Sequence, residues 1–313
     1  MPNHRGCWRV LLSLAMVWVG WTALGCGSVS GPPALLIRGT PEEPVLRSGD
    51  LSGSEIWAGT IVVRGAVRVP QGATLTIERG SHVQFSGGAE NPGRLIVHGM
   101  LYVQGDFQEP VLFTGTPELR EWQGLILAPT ASGRIHEARF QAGAQVLCRS
   151  DGMVFSFSEF LQNSGTALTL EDASPTVEDC EFRLNVVGIR VVGQASPQIL
   201  NNTFLGNVYG VVCEDGARPT IARNLFANQR EHGVLVRGAA SPEIRENNFI
   251  RNGGFAVLDG GRLIENFIQG NNGAPPNAVE RSSDPQSLQV FGVEEVLSPR
   301  AVPVAEAGVR RVR

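Results

Sequence analysis

One phrase keeps returning along this chain. Ala195–Asn207 reads ASPQILNNTFLGN; one block earlier stands ASPTVEDCEFRLN and one block later ARPTIARNLFANQ. Pro175, Pro197, Pro219 and Pro242 keep intervals of 22, 22 and 23 residues. Phe160, Phe182, Phe204, Phe226 and Phe249 keep the same beat. Asn163, Asn185, Asn207 and Asn252 each follow a phenylalanine by three residues, with Gln229 in the remaining slot. Two residues before each phenylalanine stand Ser158, Cys180, Asn202, Asn224 and Asn247; five before come Phe155, Val177, Ile199, Ile221 and Ile244. A fixed period in several registers marks a chain that stacks one small unit on the next, because a single unit cannot bury its own apolar face.

A period near 22 suits a leucine-rich repeat or a parallel β-helix. The leucines are not periodic and L-x-x-L-x-L is missing. What recurs is short β-branched runs (GIRVV, GVVCE, GVLVR) between Gly, Asn, Asp and Ser-Pro punctuation. That pattern predicts an all-β solenoid, a parallel β-helix whose short strands stack at about 4.8 Å. Each repeat position then becomes a column. Phenylalanines stack inside, asparagines form hydrogen-bonded ladders in the turns, and prolines sit at corners where no ladder N–H is needed. Cys180 takes an asparagine slot and Cys213 aligns with Val191, so both are expected to be buried small residues; Cys148 lies outside the clear repeats. The cysteines show no CxxC spacing of a metal knuckle or redox motif.

Upstream the period loosens while strand patterning continues. IWAGTIVVRGAVRVPQGATLTIERGSHVQFSG, then LIVHGMLYVQG and EWQGLILAP, resembles the opening coils of exported bacterial right-handed parallel β-helix repeat proteins of the pectate-lyase-like and NosD-like groups. The resemblance covers Ile56–Asn272 and implies a right-handed solenoid of about nine coils. It implies no single activity, since these groups include enzymes, binders and scaffolds. Arg79 departs from a proline common in such coils, which concerns a turn.

The N-terminus predicts export. Arg5 and Arg9 precede the apolar stretch Val10–Leu24, the layout of a secretory signal over 1–25. ALGC resembles a lipoprotein lipobox, with Ala23 and Leu24 departing from its commonest residues; the resemblance makes Cys26 the lipidated first residue of a membrane-anchored protein. Residues 26–50 then read as a spacer, 51–272 as the β-helix and 273–313 as a C-terminal cap and tail. In that tail SLQVFGVEEVL is the expected packed part, and the closing VRRVR reads as solvated.

Composition removes several chemistries. All 26 basic residues are arginine, so no lysine nucleophile, Schiff base or P-loop lysine exists. A formal net charge of −4 argues against a nucleic-acid partner. His82, His98, His136 and His232 show no metal-ligand spacing. Trp57 and Trp122 stand at strand starts and are expected to pack. Together with Tyr102 and Tyr209 they are too few for a long aromatic sugar platform.

Catalytic relatives line a groove with carboxylates from adjacent coils, often around calcium, with an arginine or second acid moving the proton. The column four after each proline reads Asp179, Asn201, Arg223, Glu246, and the column six after reads Glu181, Thr203, Leu225, Asn248; neither stacks two acids next to each other. The remaining candidates are the turn acids Glu171, Asp172, Glu214, Asp215 and Asp259. Arg183, Arg190, Arg218, Arg223 and Arg230 keep no fixed offset from an acid. The leading expectation is a non-catalytic cell-envelope scaffold or binding surface, with polysaccharide as the ligand considered and no cofactor. The rivals are a polysaccharide lyase, hydrolase or epimerase, for which calcium would be possible, and a NosD-like envelope accessory protein.

Overall fold

The computed structural model describes residues 33–87, 91–116, 122–272 and 307–308. Cys26 and the proposed signal lie outside them, as do SLQVFGVEEVL and VRRVR. The described chain is a parallel β solenoid of about 10 turns, about 22 residues each, with no helix. Among these residues no helix is long and apolar enough to cross a membrane.

Each turn lays down three strands. In one turn they are Thr176–Glu178, Glu181–Arg183 and Val187–Val192. Each pairs in parallel with its counterparts in the turns on either side: Val177 with Phe155 and Ile199, Phe182 with Phe160 and Phe204, Ile189 with Leu168 and Val211. These ladders define faces 1, 2 and 3 of the solenoid.

The corners explain the irregular residues between the strands. A chain turns sharply between two strands by placing one residue in the left-handed region. Between faces 1 and 2 that residue is Phe157, Asp179, Asn201, Arg223 and Glu246 in successive turns, at φ of 51 to 57°. Between faces 2 and 3 it is Gln162, Leu184, Gly206, Asn228 and Arg251, at 51 to 66°. The non-glycine members accept a cost of order 1–2 kcal/mol each. Hydrogen bonds to the next turn offset it: Asp179 N–H donates to Leu200 O and Asn201 N–H to Ala222 O, each at 3.1 Å. The column Asp179–Asn201–Arg223–Glu246 is therefore a corner column, selected for backbone shape.

Inside, aromatic rings form one continuous stack: Phe113, Phe140, Phe160, Phe182, Phe204, Phe226 and Phe249, with centroids 4.6–5.0 Å apart and planes within 10°. That spacing is the strand spacing, so offset rings stack as a consequence of the ladder. Gly210 explains the glycine opening each GVVCE-like run: a Cβ there would meet Gly233 O at 2.5 Å and the Phe226 ring at 2.7 Å. Cys148, Cys180 and Cys213 are fully buried. Cys148 shares the column Leu127–Cys148–Leu170–Val191–Cys213–Val236. Burial pushes the Cys148 thiol up to about 12 and the Cys213 thiol upward as well, so neither supplies a thiolate.

Two polar ladders run through the corners. In one, Asn163, Asn185, Asn207, Gln229, Asn252 and Asn271 pass hydrogen bonds from side-chain NH2 to the next side-chain oxygen at 2.7–3.0 Å, except that the Gln229 backbone N–H makes the link to Asn252 Oδ1 at 3.0 Å. Each of Asn185, Asn207 and Gln229 also donates to a phenylalanine carbonyl of an adjacent turn. In the other, Asn202, Asn224, Asn247 and Asn266 do the same, with Cys180 at its head. Asn266 and Asn271 lie 19 residues past their ladder partners, so the last turn is shorter than the period.

The solenoid also starts earlier than the sequence implies. Leu35–Gly39 and Val45–Asp50, read above as spacer, pair in parallel with the long strand Glu55–Val69 and form the first turn. This raises the nine expected coils to about 10. The first turn lacks the proline–phenylalanine–asparagine markers, which is why its strands read as a linker. Trp57 packs with no exposed surface, its indole N–H donating to the buried Glu55 carboxylate at 2.7 Å, and Arg47 pairs with the same group.

Candidate functional site

Two of the five turn acids, Glu171 and Glu214, come together with arginines. Glu171 pairs with Arg149 at 2.9 Å. Glu214 is bracketed by Arg190 and, at 3.3 Å, Arg237. Asp172 Oδ1 accepts from the Gln194 amide at 2.9 Å. Asp172, Asp215 and Asp259 all have positive φ and occupy the corner after face 3, where Gly193 and Gly238 alternate with them. Asp and Gly share this column because both tolerate the left-handed region. Among the described residues, no three of His, Cys, Asp and Glu converge as metal ligands.

A different place has the geometry of a site. The loop Gly105–Pro110, between strands Met100–Gln104 and Val111–Gly115, holds Phe107 outward at 71% exposure. Asp106 builds the loop by accepting the Gln108 and Glu109 amides at 2.9 and 2.8 Å. The Glu109 amide is the first reason that the Asp106 carboxyl is held below its usual range, with Arg79 adding to it. Arg79 reaches Asp106 and Glu109 at 3.2 Å each and braces the loop.

Behind Phe107 lies a cleft of about 120 Å³ lined by Phe107, Pro110, Glu137, Ala138, Arg139, Phe157 and Glu159. Arg139 Nε donates to Glu159 Oε2 at 2.7 Å. Glu159 stands directly opposite Glu181 on face 2, so two carboxylates do occupy adjacent turns of one outward column. Glu181 is paired with Arg183 at 3.4 Å. On face 1 beside the cleft, Ser156 Oγ lies 3.0 Å from Arg134 Nε and 2.9 Å from His136 Nδ1. The His136 ring meets Phe157 edge-on at 5.5 Å.

Counting from the prolines hid this pair. The turn holding Glu159 has Met153 where the proline would stand, so the column six after each proline begins at Glu181. Counting from the phenylalanines exposes it, since Glu159 precedes Phe160 as Glu181 precedes Phe182. The cleft-forming loop carries no repeat signal.

His232 lies in a separate surface row with Tyr209 and Phe255, at 5.8 and 5.7 Å between centroids. Its Nδ1 accepts the Phe255 amide at 3.0 Å. Burial lowers its pKa below the ordinary 6.5, against smaller opposing effects of Glu231 and Asp259. Burial also lowers that of His82. The unfolded chain therefore takes up these protons first as pH falls. The histidine contribution to stability is fully present above about 6.5 and declines as pH drops toward the lower folded values. Urea midpoints at pH 7.5 and 5 should fall for the natural protein and fall less for His232→Gln. An identical fall in both would show that His232 does not titrate on unfolding.

The described residues form an all-β parallel solenoid with a small aromatic-and-charged cleft on its flank. Residues 124–273 match the family profile described as Right handed beta helix region. Comparison with curated proteins gave no match. Among solved structures the chain is similar to the Azotobacter vinelandii mannuronan C-5 epimerase AlgE4 A-module, at 12% identity over 74% of this chain and 90% of that one, TM-score 0.39. It is also similar to the periplasmic alginate epimerase AlgG, at 13% identity over 78% of this chain and 76% of that one, TM-score 0.36.

Proposed function

We propose that this is an exported, lipid-anchored envelope protein whose rigid flank binds a polysaccharide without cleaving it, the Phe107 cleft being the contact point. The observation that carries this reading is the pairing of Glu159 with Arg139 and of Glu181 with Arg183 beside an outward aromatic ring. Carboxylates and guanidinium groups that neutralise each other make a polar rim able to exchange hydrogen bonds with sugar hydroxyls. Phe107 offers an apolar face for a sugar ring. Proton transfer needs a group poised to give or take a proton, and each of these acids already faces its own cation. The catalytic reading draws on the stacking of Glu159 on Glu181, the arrangement that polysaccharide-cleaving relatives would use. The mature protein with calcium present, incubated with neutral and uronic-acid polysaccharides, tests both. Retention on one polymer, weakened about tenfold or more by Phe107→Ala and with no new reducing ends or unsaturated products, is the expected result. Turnover abolished by Glu159→Gln would overturn it in favour of the enzyme.

A further inference from the structure

A second row of rings runs along the outside of the solenoid, where face 3 begins. Thr166, Val187 and Tyr209 stand side by side in successive turns, and the rings of His232 and Phe255 continue the line. Inside, the stacked phenylalanines lie within 10° of parallel, so each covers its neighbour's face. Outside, Tyr209 and His232 are tilted by 47° and His232 and Phe255 by 48°. Rings set at that angle leave part of each face uncovered, and all three side chains are half-buried. One turn before Tyr209, Leu184 and Val186 extend the apolar surface at 50% and 41% exposure.

The row has polar tips. His232 Nδ1 accepts the Phe255 amide, so the neutral ring carries its proton on Nε2. Among the described residues neither that N–H nor the Tyr209 hydroxyl has a hydrogen-bond partner, and neither atom is sealed from solvent. Apolar ring faces beside unused donors suit a sugar, which presents C–H groups on its faces and hydroxyls on its rim. The charge felt along the row is negative. Glu231 is exposed in the neighbouring column, and Glu231 and Asp259 are the charged groups that act on the His232 ring. A uronate chain is repelled there, and a neutral chain is not.

We infer that the Tyr209–His232–Phe255 row binds a neutral polysaccharide lying along the solenoid axis, one sugar unit to a turn. Successive turns rise by about 4.8 Å, close to the length of a pyranose unit in an extended chain, so such a chain meets a ring on each turn. The kind of ligand rests on the polysaccharide reading above, and the place is new. Leu184 belongs to the corner between faces 2 and 3, whereas Phe157 of the Phe107 cleft belongs to the corner between faces 1 and 2.

Magnetic resonance of the mature protein, titrated with short cello-, malto- and laminari-oligosaccharides and with oligogalacturonate, tests this. At least one neutral series should shift the Tyr209 ring and His232 Cε1–H signals, and oligogalacturonate should bind at least about tenfold more weakly. Tyr209→Ala should weaken neutral binding about tenfold or more, and Tyr209→Phe, which keeps the ring and its packing, about threefold. Phe107→Ala should change it less than about twofold. Unshifted Tyr209 and His232 signals across the neutral panel would overturn the inference, and so would tighter binding of oligogalacturonate. Binding lost in Phe107→Ala and kept in Tyr209→Ala would overturn it while leaving the cleft reading in place. Polymer retention kept in Phe107→Ala and lost in Tyr209→Ala would uphold the row and sink the cleft reading.

Discussion

Replacing Asn207 with leucine will lower the stability of the solenoid by about 3–5 kcal/mol, the sum expected when several buried partners are each stranded at about 1–3 kcal/mol. Asn207 Oδ1 accepts from the Asn185 backbone and side-chain nitrogens at 2.9 and 3.0 Å. Its NH2 donates to Phe182 O and Gln229 Oε1, each at 3.0 Å. Leucine fills the space and satisfies none of these groups, and the slot is sealed from water. Asn207→Gln is the control, because Gln229 already shows that the longer amide fits the next step of the ladder. It should cost markedly less. Urea denaturation of both variants decides the matter: a leucine cost below about 1 kcal/mol would mean that the ladder is not the source of stability.

Phe204→Ala will cost about 3–5 kcal/mol, the usual toll of emptying a fully buried phenylalanine site. The ring lies 5.0 Å from Phe182 and 4.6 Å from Phe226, with planes 9° and 5° apart, so two stacked contacts vanish with it. Phe204→Leu should retain much of the loss. A solenoid turn touches only its neighbours, so the damage spreads along one dimension. Hydrogen exchange should show protection falling first around Phe182–Phe226, with Ile61, Val83 and Leu95 in the early turns retaining theirs. Uniform loss across all turns would show a single cooperative unit.

The legible part of this fold was the part built from columns. Phe160 to Phe249 and Asn163 to Asn252 repeat because parallel in-register strands place equal residues side by side, and that period is visible without coordinates. The same logic failed where a turn changed length. Phe113 and Phe140 belong to the stack but stand 27 and 20 residues from their next members, across turns with different loops. Leu35–Asp50 forms strands without the repeat's markers. The corner columns were visible only as a puzzle, since left-handed φ is met by Asp, Asn, Arg, Glu, Leu and Phe alike and leaves no composition signal. The cleft was least legible of all. Phe107 acquires meaning from a single loop braced by Arg79, and Glu159 from its pairing across turns with Glu181.

The asparagine ladders have a direction. Each side-chain oxygen accepts from the turn before it, while the amide NH2 donates back to a carbonyl of the preceding turn and, except at Gln229, forward to the side-chain oxygen of the next. The two sides of any ladder turn are therefore chemically different templates. A ladder opened between two turns would present donors on the side of the earlier turn and an oxygen on the side of the later one. Cys180 heads its ladder through a backbone N–H alone, ending that column with a side chain that needs little in return. A turn inserted between two ladder turns would join in register only if it brought a side-chain oxygen toward the turn before it and donors toward the turn after it. Inserted in reverse it would set donor against donor, so the ladder is built to be extended one way.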